Sequence, residues 1–194
     1  MGELLARELK RYAGQIDIHV SPLGRTKETA ARIGRYVPLA SRDEPRLMEV
    51  TTGSWDGMSH YEIDMEYPGM LEGANGFDWF FRSPDGETFD AAFARVEEWL
   101  SGLRSTTIAI SHGLTGRLIR GVYLGLSRRE MLELPVPQCG FYRLQNGQAE
   151  LVESPPTKRD RSVDLTAMLS DQELAAIVKS HMELGLNHLD FDLP

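Results

Sequence analysis

The chain has 194 residues, 41% of them hydrophobic and 26% charged, which suits one domain with a real core and a short appendage. Its net charge of −8 argues against general nucleic-acid binding, and no apolar run approaches the roughly 20 residues needed to span a bilayer. One cysteine, Cys139, excludes an internal disulfide framework and a cysteine-based zinc site.

The opening Met1-Gly2-Glu3-Leu4-Leu5-Ala6-Arg7 reads as charged helix rather than a secretory leader. Ala6 stands where a myristoylation signal needs Ser or Thr, so a cytoplasmic chain is expected. Leu4, Leu5, Leu9 and Tyr12 share one helical face over residues 3–12, and Gly14 supplies a stop. Residues 16–20, Ile-Asp-Ile-His-Val, alternate as a strand should, and Ser21-Pro22-Leu23-Gly24-Arg25 breaks the strand. A helix is expected over 26–36, then a short edge strand at 38–41. Ser59 and Glu62 form a capping box for a helix that Pro68 ends. Residues 69–87 hold four glycines together with Phe77, Trp79, Phe80 and Phe81, and read as an irregular lid with an aromatic anchor.

Phe89, Phe93, Val96, Leu100 and Leu103 form the apolar stripe of a helix over 89–103. A run rich in β-branched side chains, Thr106-Thr107-Ile108-Ala109-Ile110, then leads straight into Ser111-His112-Gly113. A helix is expected over 115–124, and Ser127 with Glu130 caps another. Asn146-Gly147 between two apolar runs signals a hairpin that closes the domain near residue 153. Residues 154–164 read as a linker, and Ser170 with Glu173 opens an amphipathic helix that Gly185 can stop.

Three features carry chemistry. His112 and Gly113 stand at a strand end just before a helix, where open α/β sheets place ligands on free backbone N–H groups. Arg25 begins a helix right after a strand, and its planar guanidinium matches phosphate geometry. Glu49 lies in a loop with Trp55, where a carboxyl beside an indole can be held partly protonated and act as a general acid.

Taken jointly, the chain resembles the histidine phosphatase superfamily, also called the phosphoglycerate mutase-like family. The matching segments are Ser21-Pro22-Leu23-Gly24-Arg25 with Glu28-Thr29-Ala30, and Leu47 and Glu49 with Gly53, Trp55 and Gly57. Asp85-Gly86-Glu87-Thr88 with Arg95-Val96 follows, and then Ile110-Ser111-His112-Gly113. The resemblance implies a three-layer α/β/α fold with a mostly parallel central sheet. It also implies hydrolysis of a small phosphorylated metabolite through a phosphohistidine, with no metal and no cofactor. By position, Arg25, His112 and Gly113 correspond to phosphate-holding groups, and Glu49 and His112 to catalytic ones. A mutase-type phosphotransferase and a non-catalytic protein that binds a phospho-ligand or a protein are the alternatives.

The family's Arg-His-Gly triplet, which carries the nucleophilic His, does not occur in this sequence. The resemblance therefore implies an N-terminally truncated domain over 1–153 whose first strand is missing, and a linker plus C-terminal helical tail over 154–194. The chain by itself is then expected to be inactive. It is also expected to expose a strand edge beside the His112 strand, closed by rearrangement, by residues 165–189 or by a second copy in a homodimer. Neither nucleic acid nor a membrane is an expected partner.

Overall fold

Strand β1 (Ile16–Val20) is the middle strand of a three-stranded parallel sheet of order β2-β1-β3, with β2 at Ser41–Asp43 and β3 at Thr106–Ile110. The computed structural model describes residues 2–153, except 13, 14, 39, 75, 138 and 139. The expected linker at 154–164 and the tail helix opened by Ser170 lie outside the described residues, as does the expected stop at Gly14.

Alternation along β1 builds the layers. Ile18 and Val20 point to one face and join Leu5 of α1 (Gly2–Leu9), Ile33 of α2 (Gly24–Gly34), Val37 and Ile110 in an apolar cluster. His19 points to the other face. There its imidazole Nδ1 accepts a hydrogen bond from the indole Nε1 of Trp99, at 3.0 Å, on α4 (Phe89–Ser101). The second face is filled by Leu47, Val50, Ala92, Val96 and Trp99 with Leu114, Leu118 and Ile119 of α5 (Gly113–Leu124) and Met131 and Leu132 of α6 (Arg128–Glu133). A parallel sheet between two helical layers is the expected α/β/α arrangement.

β3 is paired with β1 and stands at the edge of this sheet among the described residues. β4 (Gly140–Gln145) and β5 (Gln148–Glu153) form a separate antiparallel hairpin. Asn146 (φ 53°) and Gly147 (φ 73°) turn it in the left-handed region that the Asn-Gly signal demands. Phe141 of β4 packs against the β1 cluster, and Arg143 pairs with Glu8 of α1.

Some boundaries differ from expectation. The edge strand forms at 41–43 rather than 38–41, because its register is set by pairing Ile18 to Ser41 and Val20 to Asp43, and its exposed side chains carry no pattern of their own. α2 and α5 each begin two residues early, at Gly24 and Gly113. The capping boxes at Ser59 and Ser127 are present, the first opening α3 (His60–Glu66). In the glycine-rich stretch a 3₁₀ turn at Asp78–Phe81 lets Phe77, Phe80 and Phe81 pack on the α4–α5 cluster. No helix among the described residues is long and apolar enough to cross a membrane.

Candidate active site

The register of β1 on β3 pairs Val20 with Ile110, so the two strands end side by side. Ser21 and Ser111 therefore leave the sheet together, and the Ser21 N–H donates to the Ile110 carbonyl at 2.9 Å. Each strand feeds a helix within a few residues. This brings the start of α2, with Arg25, against the start of α5, with His112 and Gly113, although the two side chains are 87 residues apart in sequence.

His112 is held by both ring nitrogens. Arg25 Nε donates to Nδ1 at 2.9 Å, and Nε2 lies 2.7 Å from the hydroxyl of Ser21, which is fully buried. A guanidinium can only donate, so Nδ1 is the acceptor and the proton resides on Nε2, directed at Ser21. Burial, and then the Arg25 cation, hold the imidazole below its ordinary titration range; Arg95 adds to this and Glu49 opposes it. The ring is thus a neutral imidazole beside a cation. It stands at the N-terminus of α5, where His112 is the N-cap residue and makes no side-chain cap bond.

Glu49 supplies that cap from elsewhere in the chain. Its Oε1 accepts from the Thr115 N–H at 2.9 Å and its Oε2 from the Leu114 N–H at 3.2 Å. The flanking segment is stitched to the same junction. Ser111 Oγ donates to the Leu47 carbonyl at 2.9 Å, and Thr115 Oγ1 to the Met48 carbonyl at 2.7 Å. The expected pairing of Glu49 with the Trp55 indole is corrected by these contacts. The carboxylate turns to the free α5 N–H groups, and Trp55, 1% exposed, packs on Tyr67 instead. Gly113 lies between Val136 and Glu49 with room to spare. A Cβ there would stand 3.7 Å from Val136 and 4.0 Å from Glu49 Oε2.

Arg25, Glu49, His112 and Gly113 thus converge on one corner at the carboxyl ends of β1 and β3. Arg95, in the same constellation of motifs, is committed to a two-pronged pair with Glu87 (2.6 and 2.8 Å) and to the Arg46 carbonyl. Sequence reasoning missed the role of Ser21. Its signal was available: like Ser111, it is the first residue beyond a strand that enters the corner. The other described histidines are elsewhere, His19 against Trp99 and His60 edge-on to Trp79 at 4.7 Å. Among the described residues no group of three or more His, Cys, Asp or Glu is placed to hold a metal ion.

A corner with a neutral imidazole, a guanidinium and a helix N-terminus suits a phosphoryl group. The model of the histidine phosphatase superfamily (branch 1) matches residues 1–153. Fructose-2,6-bisphosphatase of Saccharomyces cerevisiae is 27% identical over 145 residues, which cover 73% of this chain and 31% of that protein. Phosphoserine phosphatase 1 of Hydrogenobacter thermophilus is 30% identical over 135 residues, 64% of this chain and 61% of that protein. The chain thus spans less than two thirds of either relative. Among solved structures, Bacillus stearothermophilus YhfR shares the fold with a TM-score of 0.59 at 18% identity, covering 78% of this chain and 79% of that one. A mycobacterial glucosyl-3-phosphoglycerate phosphatase does so with a TM-score of 0.51 at 23% identity, covering 69% of each.

Proposed function

Because the chain belongs to the histidine phosphatase superfamily, we propose that it serves the hydrolysis of a small phosphomonoester through a phosphohistidine, and that it supplies the phosphate-holding side of the site. The observation that carries this reading is the convergence of Arg25, His112 and the α5 N-terminus at the ends of two parallel strands. Arg25 and the Gly113 N–H hold phosphoryl oxygens. Neutral His112 donates a hydrogen bond to the same group, or takes up a proton as negative charge gathers on it. Glu49 is the carboxyl beside Gly113 and is the acid for the departing ester oxygen; for this it must first take up a proton from solvent, giving up the charge that accepts from the Leu114 and Thr115 N–H groups. The relatives' names, fructose-2,6-bisphosphatase, phosphoserine phosphatase and glucosyl-3-phosphoglycerate phosphatase, support a small phosphorylated metabolite as the substrate class.

A phosphohistidine route needs a second imidazole in line with the phosphorus, and His112 is the one described histidine at this corner. On this reading the described residues bind the phosphoryl group without a nucleophile to attack it, and turnover by the chain is expected to be negligible. That same observation favours a second reading, a non-catalytic phospho-ligand binder. Calorimetric titration with inorganic phosphate, alongside turnover of p-nitrophenyl phosphate, tests the proposal. Binding lost in Arg25→Met and His112→Ala, with turnover at background, is expected. His112-dependent turnover by this chain would overturn its inactivity, and absence of binding would overturn the phosphate-holding role.

A further inference from the structure

α5 carries two buried arginines. Arg117 is 7% exposed and Arg120 is 5% exposed, and neither is paired with a carboxylate among the described residues. The Arg120 guanidinium is satisfied: it lies 3.9 Å over the Tyr142 ring, and its Nε and Nη2 donate to the Gly116 and Pro135 carbonyls at 3.2 and 2.6 Å. Arg117 is not. Its Nε donates to the Leu134 carbonyl and Phe77 covers its face at 3.6 Å, but its Nη1 is buried with no acceptor among the described residues. A buried cation without an anion is costly, and a second cation close by makes it more so.

Arg117 also lies in line with the phosphate corner. It is four residues beyond Gly113 on the same helix, hence on the same face and displaced by about 6 Å along the axis. One wall runs past both positions: Leu134 receives the Arg117 bond, and Val136 stands against Gly113. We propose that Arg117 binds a second anionic group, a carboxylate or a phosphate, on the ligand whose phosphoryl group sits at His112 and Gly113. This rests on the phosphate-holding reading above and narrows the substrate to a phosphomonoester with a second negative charge a few bonds from the first. Burial, and then the Arg120 cation beside it, weaken the hold of Arg117 on its own charge; Glu49 opposes this without pairing with Arg117, and an incoming anion relieves it. Phe77, from the irregular 69–87 loop, is the ring that lies against the Arg117 guanidinium.

The test is calorimetric titration of the full chain with three probes. Glycerol 3-phosphate and 3-phosphoglycerate differ only in whether CH₂OH or a carboxylate ends the chain, and propane-1,3-diol bisphosphate ends in a second phosphate. At least about tenfold tighter binding of one or both doubly anionic probes is expected, and which one gains identifies the preferred group. Arg117→Met, which keeps most of the side-chain volume, brings the three affinities together. Equal affinity of the unaltered chain for all three overturns the inference without recourse to any variant. So does a preference that survives in a folded Arg117→Met protein. Binding of none of the three overturns the phosphate-holding corner as well.

Discussion

Replacing Glu49 by Gln separates two reasons for a carboxylate at this position. If Glu49 is there only for chemistry, removing its charge leaves the ligand-free protein as stable as before, or more so. The structure gives it a second task, because Oε1 and Oε2 accept from the Thr115 and Leu114 N–H groups at the uncapped start of α5. Gln retains one carbonyl acceptor but turns an NH₂ toward the other N–H, so one bond is lost and the other loses its charge. Losing a hydrogen bond to a charged acceptor costs about 1.5–3 kcal/mol. The helix-terminus interaction adds about 0.3–1 kcal/mol. Glu49 is only partly buried, so a total of about 2 kcal/mol is the fair expectation after solvent screening. In a domain of this length that lowers the melting temperature by roughly 4–8 °C. Thermal unfolding by circular dichroism, without ligand, is the assay. A Glu49→Gln protein that melts with the unaltered chain would refute the clamp.

Two further expectations concern the core. Burial, with Arg42 next, holds His19 below its ordinary titration range, so the unfolded chain takes up a proton that the folded one refuses. Stability is therefore full above about pH 6.5, the unfolded value, and is lost as the pH falls through the depressed folded value. Burial and Arg25 give His112 the same sign. Melting temperatures should rise from pH 5 to about 6.5 and level off toward pH 8, and the rise should flatten in His19→Leu; an unchanged rise contradicts the assignment. Gly121→Ala should destabilise despite the better helix propensity of Ala. A Cβ there would stand 2.1 Å from Cγ of Met131, which is 2% exposed, and overpacking at about 1–3 kcal/mol outweighs a propensity gain of about 1 kcal/mol. Denaturant unfolding that shows a more stable variant would rule this out.

Local chemistry made much of the fold legible. The alternation of Ile16-Asp17-Ile18-His19-Val20, the capping boxes at Ser59 and Ser127 and the Asn146-Gly147 turn each act within a few residues, and each is present in the structure. What stayed hidden is non-local. No cap residue marks the start of α5 at Gly113, because its cap is Glu49, 66 residues before Thr115. Trp99 is absent from the expected α4 stripe, because its indole meets His19 on the face of the sheet that α4 covers, 80 residues away. At the site, strand ends and residue type pointed to Arg25, His112 and Gly113, which the structure brings to one corner. They could not show that His112 is clamped between Arg25 and Ser21, since that depends on the register of β1 on β3.

The central claim is that this corner holds a phosphoryl group against a neutral His112. ¹⁵N NMR of the His112 ring, recorded across pH with and without inorganic phosphate, tests it most directly. The free chain should show the Nε2–H form titrating below the ordinary range. Added phosphate should perturb the ring and the Gly113 amide and raise the titration midpoint, because an anion favours the imidazolium. Arg25→Met should abolish the phosphate response. Ring signals and a midpoint indifferent to phosphate would contradict the account.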